Sequence, residues 1–456
     1  MESNRWRRVF GLAGLAGLAA AHAGAATILF DDGLSHTVPG DPAFTAGDAI
    51  VLGASTQLLV GITQVDGESF LSNVDVGGGP ALMSAATSNT RILGGVLRGG
   101  AADAVSDGTT PTSGLVTMAG AGIETFGRLD FPFGTVTGGA TLASVSPAID
   151  RVEANGGAGI VSRPGALSRV GAIEGVGGGS ARAGGASGEN LAYGGASIVA
   201  EGGTRLVLPR GRFEGGSAWA DNGLSSIGSA TAEGGPAVSV LASAVFAING
   251  GEFTSGAARA DAGFVAGTAT ATSGPALRIE SGARGAIYGG DFSTGVATAS
   301  ANAATPPVFP PAAALRVDVG DGEGAGITLI GGRFRGDGAI EIPWTPAGGS
   351  GYVQIFYADL DSTGAVDLRL AHPGVRTILW ANDVAVDGVP VVGDMITATA
   401  GTITGDGFLG GPIEWTFERL NDAPLEIVAP EPAGPLFPGV VTLVALVGRR
   451  RVRGTR

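Results

Sequence analysis

The chain has 456 residues, 83 of them glycine and none cysteine, with 6% aromatic and 15% charged residues. This excludes disulfide frameworks and thiolate metal sites, and it argues against both several bulky-cored domains and a charged disordered tail. All 27 basic residues are Arg; setting aside Arg5, Arg7, Arg8 and Glu2 at one end, and Glu431 with five arginines at the other, leaves 19 Arg against 39 acids, a net charge of -20. The body therefore lacks the basic footprint that nucleic-acid phosphates require.

Residues 1–26 have the layout of a signal peptide. Arg5, Arg7 and Arg8 form its charged start, Val9 to Ala21 its apolar stretch, and Ala21-His22-Ala23 or Ala23-Gly24-Ala25 a small-x-small cleavage site ending at Ala23 or Ala25. Gly11, Gly14 and Gly17 disfavour the alternative of a buried N-terminal helix.

Residues 27–343 repeat. A Gly-Gly-x-Phe theme occurs at Gly250 to Phe253, Gly289 to Phe292 and Gly331 to Phe334, with Arg210-Gly211-Arg212-Phe213 as a variant. Leu97, Val136 and Ile173 take the Phe place upstream, giving spacings of 39, 37, 40, 40, 39 and 42. A second anchor is the apolar residue after a small pair, as in Pro80-Ala81-Leu82, Ala196-Ser197-Ile198, Pro236-Ala237-Val238 and Pro275-Ala276-Leu277; it precedes the Phe position by 15 residues in each of these units. From Leu315 to Phe334 the distance is 19, and the surplus falls on a loop, Gly320 to Gly324.

Alternation in Ala276 to Glu280 predicts a strand, Ser281 to Arg284 a turn, and Gly285 to Phe292 a second strand. Stacked units would place Val238, Leu277 and Leu315 on one apolar ladder and Phe253, Phe292 and Phe334 on another, with strands pairing at ~4.8 Å. The intervening Ala/Ser/Thr/Gly stretches, such as Thr294 to Ala304, fit the third side of a coil, a second thin coil, or a flexible loop. From Trp344 the repeat lapses, and 344–428 reads as a β-rich cap closing the last coil. The predicted fold is all-β: a right-handed parallel β-helix of about seven repeats of about 40 residues. The pattern resembles the pectin-lyase-like group and the bacterial surface proteins built on it, without any catalytic motif of theirs.

Chemistry is sparse in the body. The residue before each Phe is Arg212, Glu252, Asp291 and Arg333 in turn, an exposed place beside a buried aromatic. A carboxylate pair such as Glu252 with Asp291, on neighbouring rungs, could serve glycoside hydrolysis, but like charges so close make a solvated face the plainer reading. No charged type recurs at repeat-equivalent positions as a polysaccharide lyase or hydrolase would require, so no catalytic or cofactor-binding residue is assigned. His36 and His372 are far apart in sequence and read as surface residues. Calcium is the one cofactor with candidate donors. Asp359-Leu360-Asp361-Ser362-Thr363-Gly364 imitates the start of a calcium loop but would close on Leu370, and Asp318, Asp321 and Glu323 form an acidic turn.

The last segment, 429–456, carries Pro430-Glu431-Pro432, an apolar stretch from Ala433 to Gly448, and then Arg449, Arg450, Arg451, Arg453 and Arg456. The arginines would hold the C-terminus on the cytoplasmic side of a membrane. This order resembles the PEP-CTERM sorting signal of exopolysaccharide-producing Gram-negative bacteria. The resemblance implies recognition by a membrane-embedded exosortase, processing near Pro430-Glu431-Pro432, transient residence in the inner membrane, and delivery to the cell surface or extracellular matrix. The expectation is an exported, non-enzymatic surface or matrix protein whose regular side meets extracellular polysaccharide. The alternatives are a polysaccharide lyase or glycoside hydrolase, and an autotransporter passenger, which would need a C-terminal barrel of alternating strands.

Overall fold

In a computed structural model the chain is described over residues 27–429, apart from 73–75, 107–113, 146–149, 187, 223–227, 242, 263–266, 281, 302–307, 309–311, 321–323, 346–347 and 394. The signal-peptide residues, with Ala23 and Ala25, and the tail, with Pro430, Glu431, Pro432, Arg449, Arg450, Arg451 and Arg453, lie outside the described residues. What is described is all-β, and its strands pair mostly in parallel, as in a β-helix. Among the described residues no helix is long and apolar enough to cross a membrane.

Each coil contributes three short strands, and equivalent strands of successive coils stack into three faces of a prism. Face one runs through Ile160–Ser162, Ile198–Ala200, Val238–Val240 and Leu277–Glu280. Face two runs through Arg128–Phe131, Leu167–Val170, Arg205–Leu208, Val245–Ile248 and Arg284–Ile287. Face three runs through Arg212–Glu214, Glu252–Thr254 and Asp291–Ser293. Both expected ladders form. Val238, Leu277 and Leu315 are paired in register, and Phe213, Phe253, Phe292 and Phe334 stack with ring centroids 4.9, 4.5 and 4.7 Å apart. All seven of these side chains are fully buried.

The Gly-Gly-x-Phe theme has a backbone cause. Its second glycine turns the corner between faces two and three with φ of +127° at Gly251, +132° at Gly290 and +134° at Gly332, a region that a side chain resists. The same corner splits the expected second strand of the unit into two, Arg284–Ile287 and Asp291–Ser293. Upstream, Val176 and not Ile173 occupies the Phe place. Val176 pairs with Phe213 and is buried, whereas Ile173 is 49% exposed.

The small-residue stretches form a second, thin layer. After face three the chain leaves the prism along one strand and returns along another. Outgoing strands such as Ala181–Gly184, Ala218–Asp221 and Ala258–Asp261 stack in one parallel sheet. Returning strands such as Glu189–Tyr193, Ser229–Glu233 and Thr268–Thr272 stack in a second. The two sheets face each other through a core built almost wholly of alanine, including Ala183, Ala192, Ala220, Ala232, Ala260 and Ala271. We call this layer the fin.

Prism and fin meet at a neck of glycines. There, outgoing and returning segments alternate in one hydrogen-bonded ladder: Gly139 N donates to Gly120 O at 2.8 Å, Gly157 N to Gly139 O at 3.0 Å, Gly179 N to Gly157 O at 2.7 Å, Gly195 N to Gly179 O at 2.9 Å and Gly216 N to Gly195 O at 2.7 Å. A Cβ on Gly216 would lie far inside van der Waals contact distance of Gly179 O. The backbones can come this close only without side chains.

Pairing continues across residue 344. Leu315 pairs with Ile340, Ile340 with Leu368 and Leu368 with Phe417 on face one, while Ile327, Val353, Thr377 and Leu425 follow one another on face two. The spacing falls to 25 and 28 residues because Arg333–Ile342 and Asp359–Leu370 run from face three straight into face one, with no excursion between. The stack closes on antiparallel pairings of Ala400–Gly407 with Val375–Val386 and with Pro412–Arg419.

Candidate functional site

Outward-pointing side chains are dealt out by the period-2 alternation of each strand, so each face carries lines of residues repeated once per rung, ~4.8 Å apart. The faces differ in how their arginines are used. At the corner of faces one and two, Arg163 bridges two rungs, with Nε 2.8 Å from Glu124 and Nη1 2.9 Å from Glu201. Burial alone would lower the Arg163 pKa, but hydrogen bonds to these two carboxylates outweigh it and raise it. Further along face one, Arg278 and Arg316 share Asp318 at 2.9 and 2.8 Å. Burial pushes Glu280 and Glu341 above the usual carboxylate range, against the pull of Arg278 on the first and of Arg316 and Arg369 on the second.

Face three is paired over its later rungs, while Arg98 on an earlier rung makes no ion pair among the described residues. Glu252 and Asp291 sit on adjacent rungs as expected, but Asp291 is held by Arg335 at 2.6 Å, and Arg333 by Asp359 at 2.9 Å. Asp359 and Asp361 lie in the strand Asp359–Leu370 rather than in a loop, which turns the imitation of a calcium loop into extended chain. Asp321 and Glu323 lie outside the described residues. On the fin, Trp219 is sandwiched, with Arg182 3.9 Å and Arg259 4.9 Å from its ring centroid, so neither ring face is open to a sugar.

Face two is different. Arg128, Arg205 and Arg284 stand on one outward line, on alternate rungs, separated by Leu167 and Val245. Two residues along each strand, Arg91, Asp130 and Arg169 form a second line. All five arginines are exposed. Arg128, Arg169, Arg205 and Arg284 make no ion pair among the described residues, and Arg91 reaches Asp130 at 3.5 Å. The first line continues toward the N-terminus through Asn89 and Gln57, where a shallow concavity of about 410 Å³ is lined by Ser35, Gln57, Asn89, Arg91, Arg128 and Asp130.

Charged residues therefore do recur at an equivalent place, contrary to the sequence expectation. Arg128, Arg205 and Arg284 each precede the Phe-type residue of face three, Val136, Phe213 and Phe292, by eight positions. The offset is constant in the sequence, while the residue adjoining the Phe-type position changes charge from unit to unit.

Both histidines are buried rather than at the surface. His36 is 7% exposed and His372 3%. His36 closes the first coil, with Nε2 2.9 Å from Asp32 and Nδ1 3.0 Å from Asp41, and its ring stacks on Phe30 at 4.3 Å. Burial alone would lower the His36 pKa, but the hydrogen bonds to Asp32 and Asp41 reverse this and raise it. His372 Nδ1 accepts a hydrogen bond from Gly374 N at 3.1 Å. No protein-family model, curated protein or solved structure matches the chain.

Proposed function

We propose that the chain is an exported, non-enzymatic structural or adhesive protein of the cell surface or extracellular matrix, sorted through its PEP-CTERM-like tail by an exosortase. In this reading residues 27–428 form a right-handed parallel β-helix, the hand that parallel strands joined by crossovers adopt almost without exception. The tail's apolar stretch is held transiently in the inner membrane, and the body meets extracellular polysaccharide. One observation carries the reading: outer lines of side chains keep register from rung to rung, as from Gln57 through Asn89 and Arg128 to Arg205. Such a surface suits a linear polymer laid along it better than a compact ligand.

The test is fractionation of cells expressing the full chain and a variant lacking Arg449 to Arg456. The full chain should be recovered outside the cell, with its C-terminal arginines removed, while the truncated form stays with the membrane fraction or goes astray. Equal surface delivery of both forms would overturn the sorting assignment.

A further inference from the structure

An acidic body that leaves four arginines of one face without acidic partners forgoes stabilisation it has used elsewhere. On faces one and three most arginines lie against Asp or Glu on their own or neighbouring rungs, Arg98 on face three being the exception. On face two Arg128, Arg205 and Arg284 are interleaved instead with Leu167, 40% exposed, and Val245, 50% exposed, and on that line only Arg376, farther along, pairs with an acid, Glu426. The two lines are out of step: Arg91 and Arg169 occupy the rungs on either side of Arg128, and Arg205 the rung after Arg169. The result is a zigzag of one guanidinium per rung over four successive rungs, at ~4.8 Å per step.

We propose that face two binds a linear polyuronate lying along the axis of the stack, one sugar per rung, its carboxylates held alternately by the Arg128/Arg205 line and the Arg91/Arg169 line. This rests on the reading of the protein as a polysaccharide-associated one and names the polysaccharide. In an extended β-1,4-linked chain successive sugars are flipped, so their carboxylates project to alternate sides, which is the pattern of the arginines. Guanidinium forks match carboxylates bidentately, and the exposed aliphatic side chains of Leu167 and Val245 offer a floor to the C–H faces of the rings. Asn89 and Gln57 continue the line with amides suited to hydroxyl groups.

Nucleic acid fits less well. A duplex carries a charge every ~1.7 Å, far denser than one arginine per rung, single strands are held largely by stacking on aromatic rings, and this stretch of face two presents none outward. Asp130 is the one acid within the zigzag, 3.5 Å from Arg91, and it opposes a bound carboxylate.

The experiment is titration of the purified full-length chain with β-1,4-linked polymannuronate, with dextran as the neutral polymer and a DNA oligonucleotide as the competing polyanion. Polymannuronate should bind, and more weakly as salt rises. The double variant Arg128→Gln/Arg205→Gln should lose about tenfold or more in affinity, at roughly three- to fivefold per charge-assisted contact. Asp130→Asn should tighten binding two- to threefold. Arg212→Gln/Arg333→Gln on face three should change nothing. Absence of polymannuronate binding, equal loss in the face-three control, or DNA binding as tight as polymannuronate would each overturn the proposal. Binding in solution does not depend on export, so a sorting failure and a failure of this site give separate results.

Discussion

In the prism, Val176, Phe213 and Phe253 fill the interior of successive coils, whereas in the fin the same coils bury little more than the methyl groups of Ala183, Ala220 and Ala260. Both layers belong to one covalent repeat and share one rung spacing, so the difference in core size has to be absorbed where they join. It is absorbed at the glycine neck, where outgoing and returning backbones share a single ladder. Coils without the excursion, at 25 and 28 residues, keep the prism and drop the fin. The prism is thus the part that holds the stack together, and the fin is an addition to it that alanine and glycine make possible.

Removing a ring from the prism should break this asymmetry open most widely. Phe253→Ala deletes the middle of the aromatic ladder and should cost about 3–5 kcal/mol. Ala220→Gly removes one buried methyl from the fin and should cost about 1 kcal/mol. Denaturant titrations of the two variants measure both. If the fin substitution proved the more damaging, the ranking of the two cores would be reversed.

A smaller effect concerns pH. The His36 pKa is raised above its ordinary 6.5 by Asp32 and Asp41 against the opposing effect of burial. Its contribution to folding is therefore fully present below pH 6.5 and is lost as pH rises through the higher folded value. Protection of the first coil, read by amide exchange around Ser35–Val38, should fall as pH rises above 6.5, and His36→Gln should abolish the pH dependence. The arginine-paired coils of face one should show no such change over this range.

Part of this arrangement is legible in the sequence. The 15-residue interval between Leu277 and Phe292, and its copies, set the two ladders because both anchors are large apolar residues at every repeat. Val176 was hidden by the more hydrophobic Ile173 three residues before it and by its corner glycine, Gly175, which stands one residue before the buried position where Gly251 stands two before Phe253. The fin was not decidable, since alternating Ala with Ser or Thr becomes a core only when a second alanine sheet faces it, and no local signal announces that partner. The burial of His36 depended on Asp32 and Asp41 folding back onto it from the surrounding turns, which spacing does not show. The face-two arginines were readable by their offset of eight from the Phe position, but recognising them as free required seeing which acids lie opposite.

The glycine neck is a continuous hydrogen-bonded ladder joining two unlike cores. Hydrogen–deuterium exchange resolved to peptides covering Gly157, Gly179, Gly195 and Gly216 tests it most directly. These amides should exchange as slowly as those of the adjoining prism strands Ile198–Ala200 and Arg212–Glu214. Exchange within seconds at the neck, with the prism strands protected, would show that outgoing and returning chains do not share a ladder and would contradict the account.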